Sequence, residues 1–168
     1  MKNFNNVLSS HGTTIFEVMS RLAQENNAIN LGQGFPDGNG PPDVVEAATE
    51  YLRNGLNQYP SMMGIPLLRE AVAKINKKFY GLDVDPYTEV MVTSGGTEAL
   101  ASSLFALIEP GDEVVLFEPL YDSYLPIVRL AGGIPKFVRL EPPSWSIFEG
   151  ELEEAFSDKT KLILLNTP

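Results

Sequence analysis

A pair of glycines, Gly95 and Gly96, constrains the fold of this chain more than any other feature of its sequence. The run Val90–Val92 just before them is short, apolar and β-prone, which predicts a strand. From Thr97 to Ile108 apolar residues recur at helical spacing among good helix formers, which predicts a helix. Because glycine permits backbone angles and close approaches that a Cβ atom blocks, the stretch predicts a strand, a tight turn and a helix in direct succession.

The start of this predicted helix has the chemistry of a phosphate-binding site. The first amides of a helix have no partner within the helix, and the helix dipole gives that end a partial positive charge. The side chains of Ser94 and Thr97 add hydroxyl groups on either side of the glycines. An ordinary turn between a strand and a helix, with glycines that only allow close packing, would give the same pattern. The stretch by itself therefore leaves two interpretations open, a phosphate-binding turn and a packing turn.

A second glycine-rich loop, Gly32–Gly38, is similar to a dinucleotide-binding fingerprint but does not satisfy it. The third glycine of that fingerprint would fall on the position of Asp37. The fingerprint also requires a helix to begin at its glycines, whereas Pro36 and the prolines that follow delay the next helix to about Pro42. We therefore expect a short strand at Ile29–Leu31 and then an extended loop that brings bare backbone close to another group.

Caps and hydrophobic periodicity predict helices in the first half of the chain and alternating strands and helices in the second half. Thr14 and Glu17 fit a capping box, which predicts a helix to about Glu25, and further helices are predicted at 42–54 and 66–80. The later elements are a strand at 113–117, a helix at 121–130, a strand at 134–140, a short helix at 150–156 and a strand at 161–166. This alternation predicts an α/β fold with a mainly parallel sheet covered by helices on both faces. The last strand is nearly all apolar and is expected to be buried on both faces.

The carboxyl ends of the predicted strands form the expected ligand-binding rim, as in other parallel sheets. Ser94–Thr97 and Glu118–Tyr124 both follow such ends, so they are expected on the same rim. The ring of Tyr121 would then cover a flat ligand whose phosphate lies at the glycine turn. Packing of that ring in the core at a helix start is the alternative interpretation.

Charge and composition narrow the possible partners. The net charge of −10 argues against a nucleic acid or an anionic membrane, since both require basic patches. No apolar run approaches the ~20 residues of a membrane span, and no secretory signal is expected. The chain has no cysteine, so no disulfide and no thiolate metal site are expected, and no metal-binding residue is predicted. A cytoplasmic location is consistent with this composition. The only histidine, His11, is expected at the surface.

Eight motifs in a fixed order resemble the N-terminal part of a fold-type I pyridoxal-phosphate enzyme, specifically a class I/II aminotransferase. They are the segments Asn30–Asp37, Gln58–Tyr59, Gly64–Ala71, Thr93–Leu100, Pro110–Val114, Glu118–Tyr124, Ala131–Gly133 and Leu165–Pro168. The form Gly-Gln-Gly-Phe-Pro-Asp resembles the branch of kynurenine, glutamine and methionine aminotransferases. The resemblance implies a three-layer αβα fold. Residues 1–40 would be an N-terminal arm, helix and substrate loop, and residues 41–168 the first, incomplete part of the cofactor-binding large domain.

The resemblance also implies a function and a role for six residues. The function is pyridoxal 5'-phosphate-dependent transfer of an amino group between an amino acid and a 2-oxo acid, in a homodimer. Amides and a hydroxyl of the glycine turn would bind the cofactor phosphate: Gly95, Gly96 and Thr97. Tyr121 would stack on the pyridine ring, and the backbone of Gly34 would approach the substrate carboxylate. Tyr59 would reach the cofactor phosphate of the partner subunit.

The family's Schiff-base lysine would lie beyond Pro168, so the resemblance implies no catalytic residue within this chain. The 168-residue chain alone is therefore expected to be inactive. Two alternatives stay open at this point. Carbon–sulfur lyases of the same fold share these motifs and the cofactor site. A non-catalytic cofactor-binding or regulatory protein is the other alternative, if the chain is complete at 168 residues.

Overall fold

The computed structural model of the chain describes residues 5–34, 36 and 38–167. They form two compact units. One, the helical unit, spans Thr13–Thr93, and the other, the sheet unit, joins the N-terminal residues up to Gly12 to the chain from Ser94 onward. The predicted division into residues 1–40 and 41–168 refers to the domains of a complete enzyme and stays a prediction.

Seven helices and three strands are formed by the described residues. In chain order they are α1 (Asn6–Ser9), α2 (Ile15–Glu25), α3 (Pro42–Asn54), α4 (Pro66–Tyr80), α5 (Gly96–Leu107), β1 (Glu113–Glu118), α6 (Tyr124–Leu130), β2 (Ile134–Arg139), α7 (Glu149–Glu154) and β3 (Thr160–Leu164). Within this part of the chain, no helix is both long enough and apolar enough to cross a membrane.

The three helices of the helical unit begin and end where the sequence predicts. Thr14 Oγ1 accepts a hydrogen bond from the amide of Glu17 at 3.3 Å and so caps α2. Proline occupies the first position of α3 and of α4, where its missing amide costs no hydrogen bond. Gly81 ends α4 in the left-handed conformation, with a φ of 68°.

A buried arginine fastens α4 to the segment that leads toward the glycine turn. The side chain of Arg69 is on α4, and the residue is only 6% exposed. Its Nε donates to the carbonyl of Val90 at 3.0 Å, and its Nη2 donates to the carbonyl of Tyr87 at 2.6 Å. Its guanidinium also lies 5.6 Å from the centroid of the Tyr87 ring. The buried charge is therefore matched by two carbonyl oxygens and an aromatic ring.

The predicted strands at Ile29–Leu31 and Val90–Val92 are not formed, which corrects the sequence analysis. A strand exists only where a neighbour completes its hydrogen-bond ladder, whatever its intrinsic propensity. Val92 donates to the carbonyl of Met63 at 3.0 Å, but no described strand pairs with this segment. Ile29 and Leu31 are almost fully exposed. The β-prone residues of both segments are therefore irregular in this chain.

The sheet unit is built on three parallel strands in the order β2-β1-β3, so the predicted parallel sheet is confirmed for these strands. The central strand is β1, where Leu116 lies between Phe137 of β2 and Leu164 of β3. Alternate residues of a strand point to opposite faces, so each face of β1 serves a different core. One face contributes Val114 and Leu116, and the other contributes Val115.

Helices cover both faces of this sheet, which gives the predicted three layers. The larger core joins β1 to α5 and α6, and its buried members are Leu104, Ile108, Val114, Leu116, Tyr124, Ile127 and Val128. The smaller core lies under α7 and contains Val115, Val138 and Ala155, with Leu152 packed against it. The carboxyl end of β1 therefore emerges from the middle of a packed domain.

Three sequence expectations for the sheet unit need correction. The last strand is not buried on both faces, because β3 is at an edge of the described sheet and Ile163 is 46% exposed. Helix α6 begins at Tyr124, so Tyr121 precedes the helix instead of belonging to it. His11 is partly buried, with Nε2 shielded from solvent, rather than lying freely at the surface.

Candidate active site

The glycine turn has an unusual backbone and open space above it. Gly95 precedes α5 with a φ of 88° and a ψ of 171°, a conformation that a residue with a Cβ rarely adopts. Gly96 is the first residue of the helix. A Cβ atom added to either glycine would meet no atom of the described chain within 4 Å. The two glycines therefore leave room for another molecule to approach the backbone. Close packing against the described chain does not explain their lack of a side chain.

The amides at this turn suit an anionic ligand. The first regular hydrogen bond of α5 runs from the amide of Ala99 to the carbonyl of Gly95 at 3.3 Å. The amides of Gly96 and Thr97 precede it and have no carbonyl to bond within the helix. With the helix dipole and the Thr97 hydroxyl, they form a set of donors for a phosphate group. The turn thus fits the phosphate of pyridoxal 5'-phosphate on both space and donor chemistry.

Glu98 holds the turn in this shape, a role that the sequence analysis missed. Its carboxylate accepts a hydrogen bond from the amide of Ser94, on the far side of the two glycines. In the related capping box, an acid at the third helical position reaches back to the amide of the N-cap residue, one residue after the amide that Glu98 binds. The spacing of Glu98 from Gly95 was therefore a signal for this contact. The side chain of Glu98 thus links the first turn of α5 to the residue just before the two glycines.

Tyr121 lies between the end of β1 and the start of α6, with 46% of its surface exposed. Its ring packs edge-on against the ring of Tyr124, with centroids 5.6 Å apart and planes inclined by 63°. Tyr124 belongs to the larger core, and Tyr121 does not. The half-exposed ring of Tyr121 does not support the alternative that it is a core residue, and it leaves part of that ring accessible to a ligand.

A small recess of about 50 Å³ adjoins the two tyrosine rings. It lies at the carboxyl ends of β1 and β3, where parallel sheets bind ligands. Polar atoms form more of its accessible lining than apolar atoms do, and its lining residues include Phe117, Leu120, Tyr121, Tyr124, Leu164 and Asn166. The recess is therefore a small feature of mixed polarity at the ligand-binding rim.

The predicted site residues divide between the two units. Gly95, Gly96, Thr97 and Tyr121 belong to the sheet unit, whereas Gly34 and Tyr59 belong to the helical unit. A Cβ atom on Gly34 would meet no described atom within 4 Å. Tyr59 is 99% exposed. Both residues are therefore accessible in the helical unit.

Glu113 of β1 and Lys136 of β2 form a charged pair, and its role is structural. Glu113 begins β1 and is buried. Its carboxylate accepts from the hydroxyl of Ser157 at 2.7 Å and lies 3.2 Å from Nζ of Lys136. The hydrogen bond from Ser157 lowers the pKa of Glu113 below its ordinary value; Lys136 and Lys159 also lower it, and burial opposes them. These groups lie at the amino end of β1, away from the recess.

The family is established by comparison with known proteins. The model of the family described as aminotransferase class I and II matches residues 26–168. This chain belongs to that family of aminotransferases.

Relatives and a solved structure agree with this assignment. Methionine aminotransferase of Escherichia coli (strain K12) is 46% identical over 157 residues, which cover 94% of this chain and 41% of that protein. Kynurenine–oxoglutarate transaminase of Dictyostelium discoideum is 38% identical over 176 residues, which cover 95% of this chain and 40% of that protein. The solved structure of N-succinyldiaminopimelate aminotransferase from Mycobacterium tuberculosis superposes with a TM-score of 0.91 at 42% identity, over 99% of this chain and 44% of that one.

These matches confirm both the predicted family and the predicted fold. The chain spans about two-fifths of the length of the curated relatives it matches.

Proposed function

We propose that this chain is part of an aminotransferase that uses pyridoxal 5'-phosphate to move an amino group between an amino acid and a 2-oxo acid. The observation that carries the proposal is the open space above Gly95 and Gly96 at the start of α5, in a chain of the aminotransferase family. The relatives named above are aminotransferases, which favours amino transfer over carbon–sulfur elimination. No observation favours the non-catalytic alternative.

The roles proposed for the residues of the sheet unit are binding and orientation. The amides of Gly96 and Thr97, the hydroxyl of Thr97 and the backbone of Gly95 would hold the phosphate, because donors at a helix start suit a dianion. The exposed face of Tyr121 would lie against the pyridine ring and exclude water from that face. When bound, the cofactor supplies an electron sink for the amino acid substrate. The chain itself would set the position of the cofactor by holding its phosphate at one end and its ring at the other.

The residues of the helical unit are proposed to act on substrate and partner. The backbone of Gly34 would approach the substrate carboxylate, since no atom of the described residues lies within 4 Å of a Cβ placed there. Tyr59 would cross to the cofactor phosphate of a second copy in a homodimer. Its loop supports this, because Leu56, Tyr59 and Met62 are almost fully exposed although all three are largely apolar. We also propose a cytoplasmic location, as a chain without cysteine suits a reducing compartment.

The test is an assay of the complete enzyme that contains this chain. It would be loaded with pyridoxal 5'-phosphate and given methionine or kynurenine with a 2-oxo acid acceptor. The expected products are the 2-oxo acid of the donor and the amino acid of the acceptor in equal amounts. Release of a thiol from a sulfur amino acid without a new amino acid would support the lyase instead. Binding of the cofactor without either product would favour the non-catalytic alternative.

A further inference from the structure

Two connections join Tyr121 to Tyr124. The amide of Tyr124 donates to the carbonyl of Tyr121 at 3.1 Å, which closes the turn before α6. The two rings also meet edge to face, at the distance and angle given above. Aromatic rings prefer such an arrangement because the positive edge of one faces the negative face of the other. The backbone and the side chains thus specify the same relative placement of the two residues.

The two residues differ greatly in burial. Tyr124 is 9% exposed and packs in the larger core among residues of α5, α6 and β1. Tyr121 is about half exposed and lies outside that core. A core side chain is held in one rotamer by close packing on all sides, whereas a half-exposed ring has fewer neighbours to fix it. Tyr124 is therefore the more rigidly held member of the pair, and its contact restricts the ring of Tyr121.

We infer that Tyr124 is a positioning residue, whose buried ring fixes the plane of Tyr121 and so the plane of the cofactor ring that Tyr121 stacks on. This inference rests on the proposed function. Tyr124 also lines the small recess, so the double variant described below separates an effect through Tyr121 from a direct one. The ring would carry the effect, so phenylalanine should replace Tyr124, whereas a side chain without a ring should not.

The experiment uses the complete enzyme with four variants: Tyr124→Phe, Tyr124→Leu, Tyr121→Leu and the double variant Tyr121→Leu/Tyr124→Leu. The dissociation constant for pyridoxal 5'-phosphate is measured by equilibrium dialysis. The induced circular dichroism of the bound cofactor reports the orientation of its ring. Binding of inorganic phosphate reports the glycine turn alone. Tyr124→Met is a second variant without a ring, to be used if Tyr124→Leu does not fold.

Tyr124→Leu is expected to weaken cofactor binding by about 2- to 10-fold, the usual contribution of an edge-to-face pair, and to reduce the induced dichroism. Binding of inorganic phosphate should not change. Tyr124→Phe should behave like the wild type. In the Tyr121→Leu background, Tyr124→Leu should have no further effect, because the ring through which it acts is gone. The control Ile127→Val, in the same core, should lower stability and leave the dichroism unchanged.

Two results would overturn the inference while the proposed function stands. One is an unchanged affinity and dichroism in folded Tyr124→Leu or Tyr124→Met. The other is an equal effect of Tyr124→Leu with and without Tyr121, which would show a general loss of packing. If the wild-type enzyme did not bind the cofactor at all, the proposed function would fail, and the inference would fail with it.

Discussion

The Nε atom of Arg69 donates a hydrogen bond to the main-chain oxygen of Val90, 3.0 Å away in the interior of the helical unit. This bond ties α4 to a segment that has no strand partner among the described residues. The segment is therefore held by a side chain together with the hydrogen bond from the amide of Val92 to the carbonyl of Met63. Several consequences of this and other contacts are open to measurement in the complete enzyme.

Arg69→Met should destabilise the protein by about 3 kcal/mol, because it removes charge-assisted bonds and leaves the carbonyls of Tyr87 and Val90 with fewer partners. Urea denaturation measures the change. Arg53→Met is the matched control, since Arg53 is exposed in the last turn of α3, and its effect should stay within about 0.5 kcal/mol. Equal midpoints for the two variants would show that the buried arginine does not support the fold.

Gly64→Ala should also destabilise the helical unit. Gly64 has a φ of 97°, and an added Cβ would lie 2.6 Å from Cγ2 of Val92. Gly81 has a similar φ of 68° but open space around it, so Gly81→Ala measures backbone strain alone, about 1 kcal/mol. Gly64→Ala should cost about 1–3 kcal/mol more, from the clash. Adding Val92→Ala should recover part of that excess, and a lack of recovery would contradict the clash with Val92.

The pair of Glu113 and Ser157 predicts a pH dependence of stability. The folded pKa of Glu113 lies below its unfolded value, so its contribution is present above the unfolded value, near 4.5, and is lost as the pH falls through the folded value. The free energy of unfolding of Glu113→Gln should therefore change less steeply with pH in the acidic range below about 4.5. Glu141→Gln is the control, because Glu141 is in an exposed pair with Arg139. Parallel pH profiles for the wild type and Glu113→Gln would contradict the assignment.

Gly96→Val should weaken the binding of pyridoxal 5'-phosphate without unfolding the protein. The new side chain would occupy the space above the turn, and losing one charge-assisted hydrogen bond costs about 1.5–3 kcal/mol, or roughly 10- to 100-fold in affinity. Gly150→Val places the same side chain in the first turn of α7, where space is also open, and should leave affinity unchanged. Equilibrium dialysis compares the two. Wild-type affinity in folded Gly96→Val would refute the phosphate site.

Mixed dimers test the proposed crossing of Tyr59. One subunit would carry Tyr59→Phe and the other Gly96→Val. If Tyr59 acts in the partner's site, one site of the dimer carries both changes and the other carries neither, so about half of the wild-type cofactor binding should return with full affinity. If Tyr59 acts in its own subunit, each site carries one change and both sites remain impaired. The stoichiometry of tight binding separates the two arrangements.

The elements that the sequence predicted well are those that local chemistry specifies. Proline at the first turns of α3 and α4 and glycine after α4 fix the ends of those helices without any distant contact. The strands at Ile29–Leu31 and Val90–Val92 failed because pairing is a long-range property. For the same reason the exposure of β3 was not predictable, since it depends on which strand lies beside it.

The candidate site shows the same division between local and distant information. The glycine turn could be predicted from residue types, because its shape depends on a backbone conformation that glycine favours. The contact of Tyr121 with Tyr124 could not be predicted in the same way, because it depends on the turn that brings their rings together. The spacing of three residues was visible in the sequence, but the ring geometry and the difference in burial were not.

Strand β1 lies between two different cores, so its register affects both the packing of the sheet unit and the position of the rim proposed to bind the ligand. A shift of one residue along β1 would turn Leu116 toward α7 and Val115 toward α5, and both cores would lose their fit. The same shift would move the chain that leads to Tyr121 by about 3.3 Å, the length of one residue in a strand. The packing of β1 in two cores therefore also sets the point at which the chain leaves the sheet toward Tyr121.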